Sequence, residues 1–420
     1  MKPLIALCLA VLLGNIFAAQ QKNRQPETKA TTVAATIDHN RIVIPSSVRL
    51  PDGTLQNLRI WVDNGDAELF LSRKLAMLLG LAVTCNDHEC SSPSPREIFI
   101  GGMPVPISDA VKQATIPSRP VTSASVLVPG MAVDMNLPAT VLRHYDVLID
   151  FPHHEFSIGA PGSIAFEGQS QQVAINSETG LIQIASKIEN KKYDLGLDLG
   201  SSISFLSPEI FDRLAGAHPA WPQMAGAVGP AGKWGSEEEL QRRVMRVDRV
   251  QYGPLFFTDV PFAEFPKNGL EPFRQRTGTE SAGLIGSEAL LNYRVGLDYG
   301  RSRVYFDIGR LSTLPDFDVI GLILRPELDG HFTILGVADL AGKPSLPTGP
   351  DGVEHGDQLI AVNDIPVMGA TMGQVWSLLG GIPGQERKLT IERNGKTFVI
   401  SATVQHFLPT DESDSTKKGR

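Results

Sequence analysis

The sequence predicts a mostly β chain in which two homologous lobes precede a smaller α+β domain. Three observations carry that reading. Residues 61–79, WVDNGDAELFLSRKLAMLL, and residues 196–214, GLDLGSSISFLSPEIFDRL, share one pattern: an apolar residue, Asp, any residue, Gly, then Phe-Leu-Ser and a helix-like run. A second echo, LRHYDVLIDF at 142–151 and LLNYRVGLDY at 290–299, gives each copy a matching end. Beyond residue 315 the style changes, and GVEHGDQLIAVNDIPV precedes a further helix-like run and a closing hairpin signal.

A lone D-x-G means little, because Asp298 and Asp307 also begin one. The shared context is what points to duplication: Asp63 and Asp198 each stand seven residues before a Phe and twelve before an aliphatic residue, Leu75 and Ile210. Two copies of roughly 130 to 145 residues fall within the ordinary size of a domain. Each copy is expected to present its Asp on a tight turn after a strand.

At 42% hydrophobic and 20% charged residues, the chain has enough apolar surface for a sizeable core without metals or staples. A net charge of −8 and the lack of any basic stripe argue against a nucleic-acid partner.

Residues 1–19, with Lys2, an apolar run from Leu4 to Leu13 and small residues at Ala18 and Ala19, read as a secretory signal peptide. The run is shorter than the ~20 apolar residues a span needs, so an uncleaved anchor is the lesser alternative and no transmembrane span is expected after signal removal. Residues 20–36 are polar and read as a flexible linker. Lobe 1 is then expected over 37–165, lobe 2 over 166–312, the α+β domain over 316–406 and a disordered tail over 407–420. Within the lobes, short β-type runs are broken by Gly, Pro, Asn and Asp. The helical stretches are few: Ser72–Leu79, Pro208–Ala215 and Ser287–Leu291, with Thr371–Leu379 in the third domain.

Export leaves Cys85 and Cys90 as the remaining cysteines, and their close spacing reads as a small disulfide loop, with two unpaired thiols as the alternative. No metal site is expected: His88 stands between the cysteines without a second cluster, and His153 and His154 read as an exposed turn pair. No cofactor is expected. A trypsin-like nucleophile is disfavoured, since no G-x-S-x-G occurs.

On IWVDNG followed by FLSRKLAMLLGL, GLDLGSS followed by FLSPEIFDRL, and the Leu284-Ile285-Gly286 turn, the region Ile37 to Arg310 resembles the retropepsin and pepsin superfamily of aspartic proteases. GDQLIAVND resembles PDZ domains. The resemblance implies a bilobal pepsin/retropepsin-like β-barrel pair followed by a PDZ-like α+β domain, exported to the periplasm or secreted. It implies catalytic Asp63 and Asp198, supported by Asn64, Gly65, Leu199, Gly200 and Ser201, acting on a peptide or unfolded protein. It also implies a flap in the hairpin around Glu97–Ile107. In the PDZ-like domain, Ile320, Gly321, Leu322 and Ile323 would form the loop that takes a peptide, such as a protein C-terminus. The alternative is that this domain simply docks on the lobes. Gly356-Asp357 would set a turn into a strand whose Ile360 and Val362 face the core.

The loops depart from the family's Asp-Thr/Ser-Gly. Asn64 retains hydrogen-bonding groups, whereas Leu199 has none for the reciprocal lock between loops. Asp66 sets a third negative charge beside Asp63, and MNLPATVL stands where a first-lobe counterpart of Leu284-Ile285-Gly286 is expected. An aspartic-type endopeptidase and a catalytically impaired, peptide-binding relative therefore both remain open.

Overall fold

The computed structural model describes residues 30–86, 89–117, 130–232, 235–266, 269–278, 280–309, 317–340 and 342–409. The proposed signal peptide, the start of the linker, His88 and residues 410–420 lie outside these. The chain is mostly β with few helices.

The second lobe is a closed six-stranded barrel. Strand Ile182–Ile188 pairs with Lys191–Asp198, which pairs in parallel with Gly283–Gly286. The ring continues through Ser204–Leu206, Leu255–Glu264 and Arg243–Tyr252, and the last closes back on the first through Ser186 opposite Tyr252. The first lobe repeats this path. Strand Arg41–Arg49 pairs with Leu55–Asp63, which pairs in parallel with Met135–Pro138. Leu69–Phe70 then meets the long hairpin of residues 90–116, which returns to the first strand through Phe99 opposite Ser47.

The parallel pairings fix the equivalence of the halves. Pro138 lies opposite Asp63 as Gly286 lies opposite Asp198. MNLP is therefore the counterpart of the Gly-Leu-Ile-Gly strand, hidden in the sequence because its fourth residue is Pro rather than Gly. The Ala139 N–H donates to Asp66 O at 2.8 Å, and the Ser287 N–H donates to Ser201 O at the same distance. The Phe-Leu-Ser signature also acquires a physical meaning. Phe and Leu are buried in both copies, and the Ser caps the following helix. The Ser72 hydroxyl accepts from the Leu75 N–H over helix Arg73–Leu78, and the Ser207 hydroxyl accepts from the Ile210 N–H over helix Pro208–Ala217.

A six-stranded sheet joins the lobes. Its order is Thr31–Ala34, Glu155–Gly159, Asp146–Asp150, Tyr293–Asp298, Arg303–Ile308, Gln169–Gln172. The two echo segments meet at its centre, with Val147 opposite Leu297, Leu148 opposite Gly296 and Ile149 opposite Val295. The repeat is thus a pseudo-twofold about the Leu148–Gly296 pair. Thr31–Ala34 and Thr36–Asp38 are strands, which corrects the end of the expected linker from Thr31 on; the first belongs to the interlobe sheet and the second pairs with Arg41–Arg49 of lobe 1.

The C-terminal domain is a six-stranded sheet, Leu322–Pro326, Phe332–Val337, Gln358–Val362, Glu386–Arg393 and Lys396–Thr403 in order, with the short strand Ile365–Pro366 paired to Gln358–Val362, and helix Met372–Leu379. A capping box between Thr371 and Gln374 starts the helix. Asn394 and Gly395, both at positive φ, close the final hairpin. Leu359 and Val362 are buried while Ile360 is half-buried, because a bulge between Leu359 and Ala361 breaks the alternation that placed Ile360 inward.

This domain shares a core with the second lobe: Phe205, Val228 and Ala231 pack in one cluster with Val319, Ile323 and Leu335. Phe407 and Leu408 are buried in the same cluster, and Leu408 O accepts from Arg246 Nε at 3.0 Å, so the chain is ordered past the expected end at 406. No described helix is long and apolar enough to cross a membrane.

Removing either cap tests the reading of Phe-Leu-Ser. Ser72→Ala and Ser207→Ala are each expected to lower stability by about 1 kcal/mol in urea denaturation, and a Ser→Asn exchange at either position should restore it.

Candidate functional site

Asp63 and Asp198 end equivalent strands, and the tight turns that follow bring the two loops back to back. A Cβ built on Gly65 would lie 2.0 Å from Asp198 Cγ, and one built on Gly200 would lie 2.2 Å from Asp63 Oδ1. Each glycine therefore lies flat against the other loop's carboxylate. Any larger residue would drive the loops apart. Asp63 and Asp198 are 3% and 6% exposed, so both carboxylates sit in a largely dehydrated setting. The Gly65 N–H donates to Asp63 Oδ1 at 3.2 Å, and Ser201, whose N–H donates to Asp198 O, gives its hydroxyl proton to Ile203 O.

Asn64 makes a two-point crossing from the first loop. Its Nδ2 donates to Leu197 O at 2.9 Å, and its Oδ1 accepts from the Leu199 N–H at 2.8 Å. One amide thus grips both sides of Asp198. The return crossing cannot come from Leu199, which is buried among apolar residues, and other groups hold that loop. Ser287 Oγ donates to Leu199 O at 2.6 Å. Arg41 reaches across from the first lobe, with Nε donating to Gly200 O at 2.8 Å and Nη2 donating to Ser202 Oγ at 3.0 Å.

Arg41 is the group that motif reading missed. It is fully buried, and the positive φ values of the preceding His39 and Asn40 turn the chain so that the side chain points between the lobes. Burial lowers its pKa to about 10, while the charges of Asp198, Asp38 and Asp63 oppose that shift and keep it a cation at neutral pH. A signal existed in RIVIP, where a charged residue opens an otherwise apolar strand. His39 packs beside it, its Nδ1 2.8 Å from Arg41 Nη1 and its Nε2 2.8 Å from Gly229 O. Burial first and Arg41 second push the His39 pKa down to about 3, so the ring is neutral. With Arg41 donating to Nδ1, the ring proton sits on Nε2 and goes to Gly229 O.

Asp66 does not face Asp63 as an isolated charge. Its Oδ1 accepts from the Glu68 N–H and pairs with Arg276 Nη1 at 3.3 Å. Arg276 comes from helix Leu270–Thr277 of the second lobe, and it also reaches Glu68 at 3.8 Å. This interlobe bridge was not legible in the sequence. Gly278, left-handed at the helix end, and basic residues in its last turn were the available signs. Glu68 is pushed up by burial and Asp66, and Arg276 opposes the shift.

The hairpin of Glu97–Ile100 and Met103–Pro106 is no flap. Phe99 lies opposite Ser47, which pairs with Asn57 six residues before Asp63, or about 20 Å along the strand. Its tip, Gly101, touches Thr31 of the interlobe sheet. A second hairpin, Thr84–Cys85 with Cys90–Pro93, is closed by a Cys85–Cys90 disulfide. Arg73 Nη2 reaches Cys90 Sγ at 3.3 Å, and the charge of Glu89 is felt at Glu68 beside the interlobe bridge.

In the C-terminal domain, the Ile320 N–H donates to Leu379 O at 2.9 Å and the Leu322 N–H to Ile320 O at 2.8 Å. Gly321 packs on Ser345 and Phe407, and Ile323 points into the core shared with lobe 2. Two of the N–H groups expected to receive a peptide carboxylate are thus engaged inside the domain. No known family's profile matches the chain, and no curated protein matches it.

Two outcomes follow from this geometry. Gly65→Ala and Gly200→Ala are each expected to destabilise by about 1–3 kcal/mol through overpacking, whereas Gly216→Ala, on a helix with nothing within 4 Å of its Cβ, should be neutral or stabilising; chemical denaturation of the three variants distinguishes them. His39 has a folded pKa below its unfolded value of 6.5, so between about 3 and 6.5 the unfolded chain binds the extra proton and stability rises with pH. The slope from this group is at most about 1.4 kcal/mol per pH unit. His39→Gln should flatten the stability profile between pH 4 and 6.5.

Proposed function

We propose that this chain is an exported aspartic-type endopeptidase, with two pepsin/retropepsin-like lobes and a PDZ-like C-terminal domain. The observation that carries the reading is the reciprocal packing of Gly65 on Asp198 and Gly200 on Asp63. Local turn formation explains one Asp-x-Gly; it does not explain two glycines each stacked on the partner's carboxylate across a pseudo-twofold axis.

Two carboxylates held this closely in a dehydrated setting cannot both ionise at little cost, so one proton is shared between them. The ionised member takes a proton from a water whose oxygen attacks the scissile carbonyl carbon, while the protonated member donates to the carbonyl oxygen. The C–N bond then breaks as the leaving amine takes a proton. Asn64, Ser287 and Arg41 act as positioning residues, since a misplacement of ~1 Å can cost about a hundredfold in rate. The substrate is an extended segment of a peptide or unfolded protein lying between the lobes. The Cys85–Cys90 disulfide and the signal-like N-terminus favour a periplasmic or secreted location.

A second reading is favoured by the buried Arg41: a permanent cation beside the dyad supports a catalytically impaired relative that holds peptides without cutting them. Purified full-length protein incubated with an unstructured polypeptide between pH 4 and 7.5 separates the two. Cleavage blocked by a statine-type transition-state mimic, and reduced on the order of 10²–10⁴-fold in Asp63→Asn and Asp198→Asn, is the expected outcome. Wild type as inert as Asp198→Asn across that range would sink the peptidase and leave the binding protein.

A further inference from the structure

The groove of the C-terminal domain is closed over by the chain itself, whose residues Ala227, Gly229 and Gly232 form one wall of the pocket there. Edge strand Leu322–Pro326 and helix Met372–Leu379 form two walls of a pocket, lined by Leu322, Leu324, Val375 and Trp376. The remaining wall comes from the second lobe, through Ala227, Gly229 and Gly232. These residues belong to the segment that leaves strand Gln223–Ala225, where Ala225 pairs with Asp339 of the C-terminal domain.

Glycines let this segment lie directly on the domain. A Cβ on Gly226 would come within 2.7 Å of Ala338 Cα, one on Gly229 within 2.8 Å of Trp376 Nε1, and one on Gly235 within 2.9 Å of Arg325 Cα. All three glycines have positive φ, so composition and conformation both suit a bare backbone pressed against the groove. Just beyond, Glu237 closes the rim, 3.0 Å from His355 Nε2 and 3.7 Å from Arg325 Nη1.

The segment's other side is tied to the dyad. Pro230 O accepts from Ser202 Oγ at 2.7 Å, and Gly229 O faces His39 Nε2 at 2.8 Å. Ser202 Oγ in turn accepts from Arg41, whose Nε holds the Gly200 carbonyl beside Asp63. A short run of hydrogen bonds therefore connects the groove to the second Asp loop.

We propose that residues 226–232, continued at the rim by Gly235, are an internal ligand of this groove, and that a small-residue peptide of the same chemistry, rich in Gly, Ala and Pro, competes with them and thereby loosens the second Asp loop. The groove part stands on the packing alone; its effect on the dyad rests on the peptidase reading. A tethered competitor acts at an effective concentration of about mM, which weakens apparent binding of any added peptide in the native chain.

The test uses full-length protein and a fluorescent peptide carrying residues 225–236, AGAVGPAGKWGS. Gly235→Val, which forces a side chain against Arg325, is expected to expel the segment and bind the peptide at least tenfold more tightly than wild type by anisotropy. Gly235→Val combined with Trp376→Ala should lose that gain. Equal affinity in wild type and Gly235→Val, or binding that ignores Trp376→Ala, overturns the proposal. If Gly235→Val does not fold, Trp376→Ala alone should speed tryptic cleavage within residues 226–242 at least tenfold, and an unchanged rate is equally decisive against it. Repeating the binding in the Asp63→Asn background keeps the questions apart: peptide capture there with no proteolysis anywhere defeats the enzyme and leaves the groove. In an active enzyme, Gly235→Val should lower turnover at least tenfold relative to wild type, and unchanged turnover removes the coupling to the dyad.

Discussion

Everything at the centre of this molecule depends on two peptide backbones approaching two carboxylates with no side chain between them. Gly65 and Gly200 permit that approach, and the fold is arranged to enforce it. The strands ending at Asp63 and Asp198 must finish at the same level. Their parallel partners, Met135–Pro138 and Gly283–Gly286, set that level from one side, and the interlobe sheet sets the relative height of the halves. A shift of one residue at any of these pairings would turn every side chain of a strand to its other face and take a carboxylate out of the centre.

The pseudo-twofold is closest in the backbone and weakest in the side chains that hold it. The first loop grips the second through one amide, Asn64, which supplies both a donor and an acceptor. The second loop has replaced its polar crossing residue with Leu199, whose burial adds apolar contact but no bond. Ser287 and Arg41 take over. An arginine used this way is costly to dehydrate, and its retention is explained by what its five donors can do in one place: it bonds a carbonyl, a hydroxyl and a ring nitrogen under the charges of four carboxylates, Asp198, Asp38, Asp63 and Glu239. The two halves thus reach the same geometry by different chemistry.

The repeat made the duplication, the position of both aspartates and the helix after each Phe-Leu-Ser legible, because each is a local pattern of apolar spacing and turn chemistry. The final hairpin at Asn394-Gly395 was legible for the same reason. What stayed hidden depends on contacts between segments far apart in sequence. Arg41, Arg276 and the segment of Gly226–Gly235 look like ordinary strand, helix and loop residues until the lobes are assembled. MNLP stood at the expected place but not with the expected pattern, because a parallel strand buried on both faces carries no alternation, and its pairing with Ile60–Asp63 is what identifies it as the counterpart. The hairpin at Gly101-Gly102 was legible as a turn signal, but not that its tip packs on Thr31 of the interlobe sheet. Phe407 and Leu408 were lost to a polar tail that starts two residues later.

The interlobe sheet has a consequence for how the chain comes into being on a ribosome. Thr31–Ala34 is made early, yet its partner Glu155–Gly159 follows more than a hundred residues later, and the central partner Tyr293–Asp298 later still. Such distant pairings form slowly and late. A nascent first lobe therefore carries one aspartate, an unpaired sheet edge and no opposing loop. Whatever the two carboxylates do together, they can do only after residues through Asp298 have been made, so the emergence of the second lobe is itself the step that brings the site into existence.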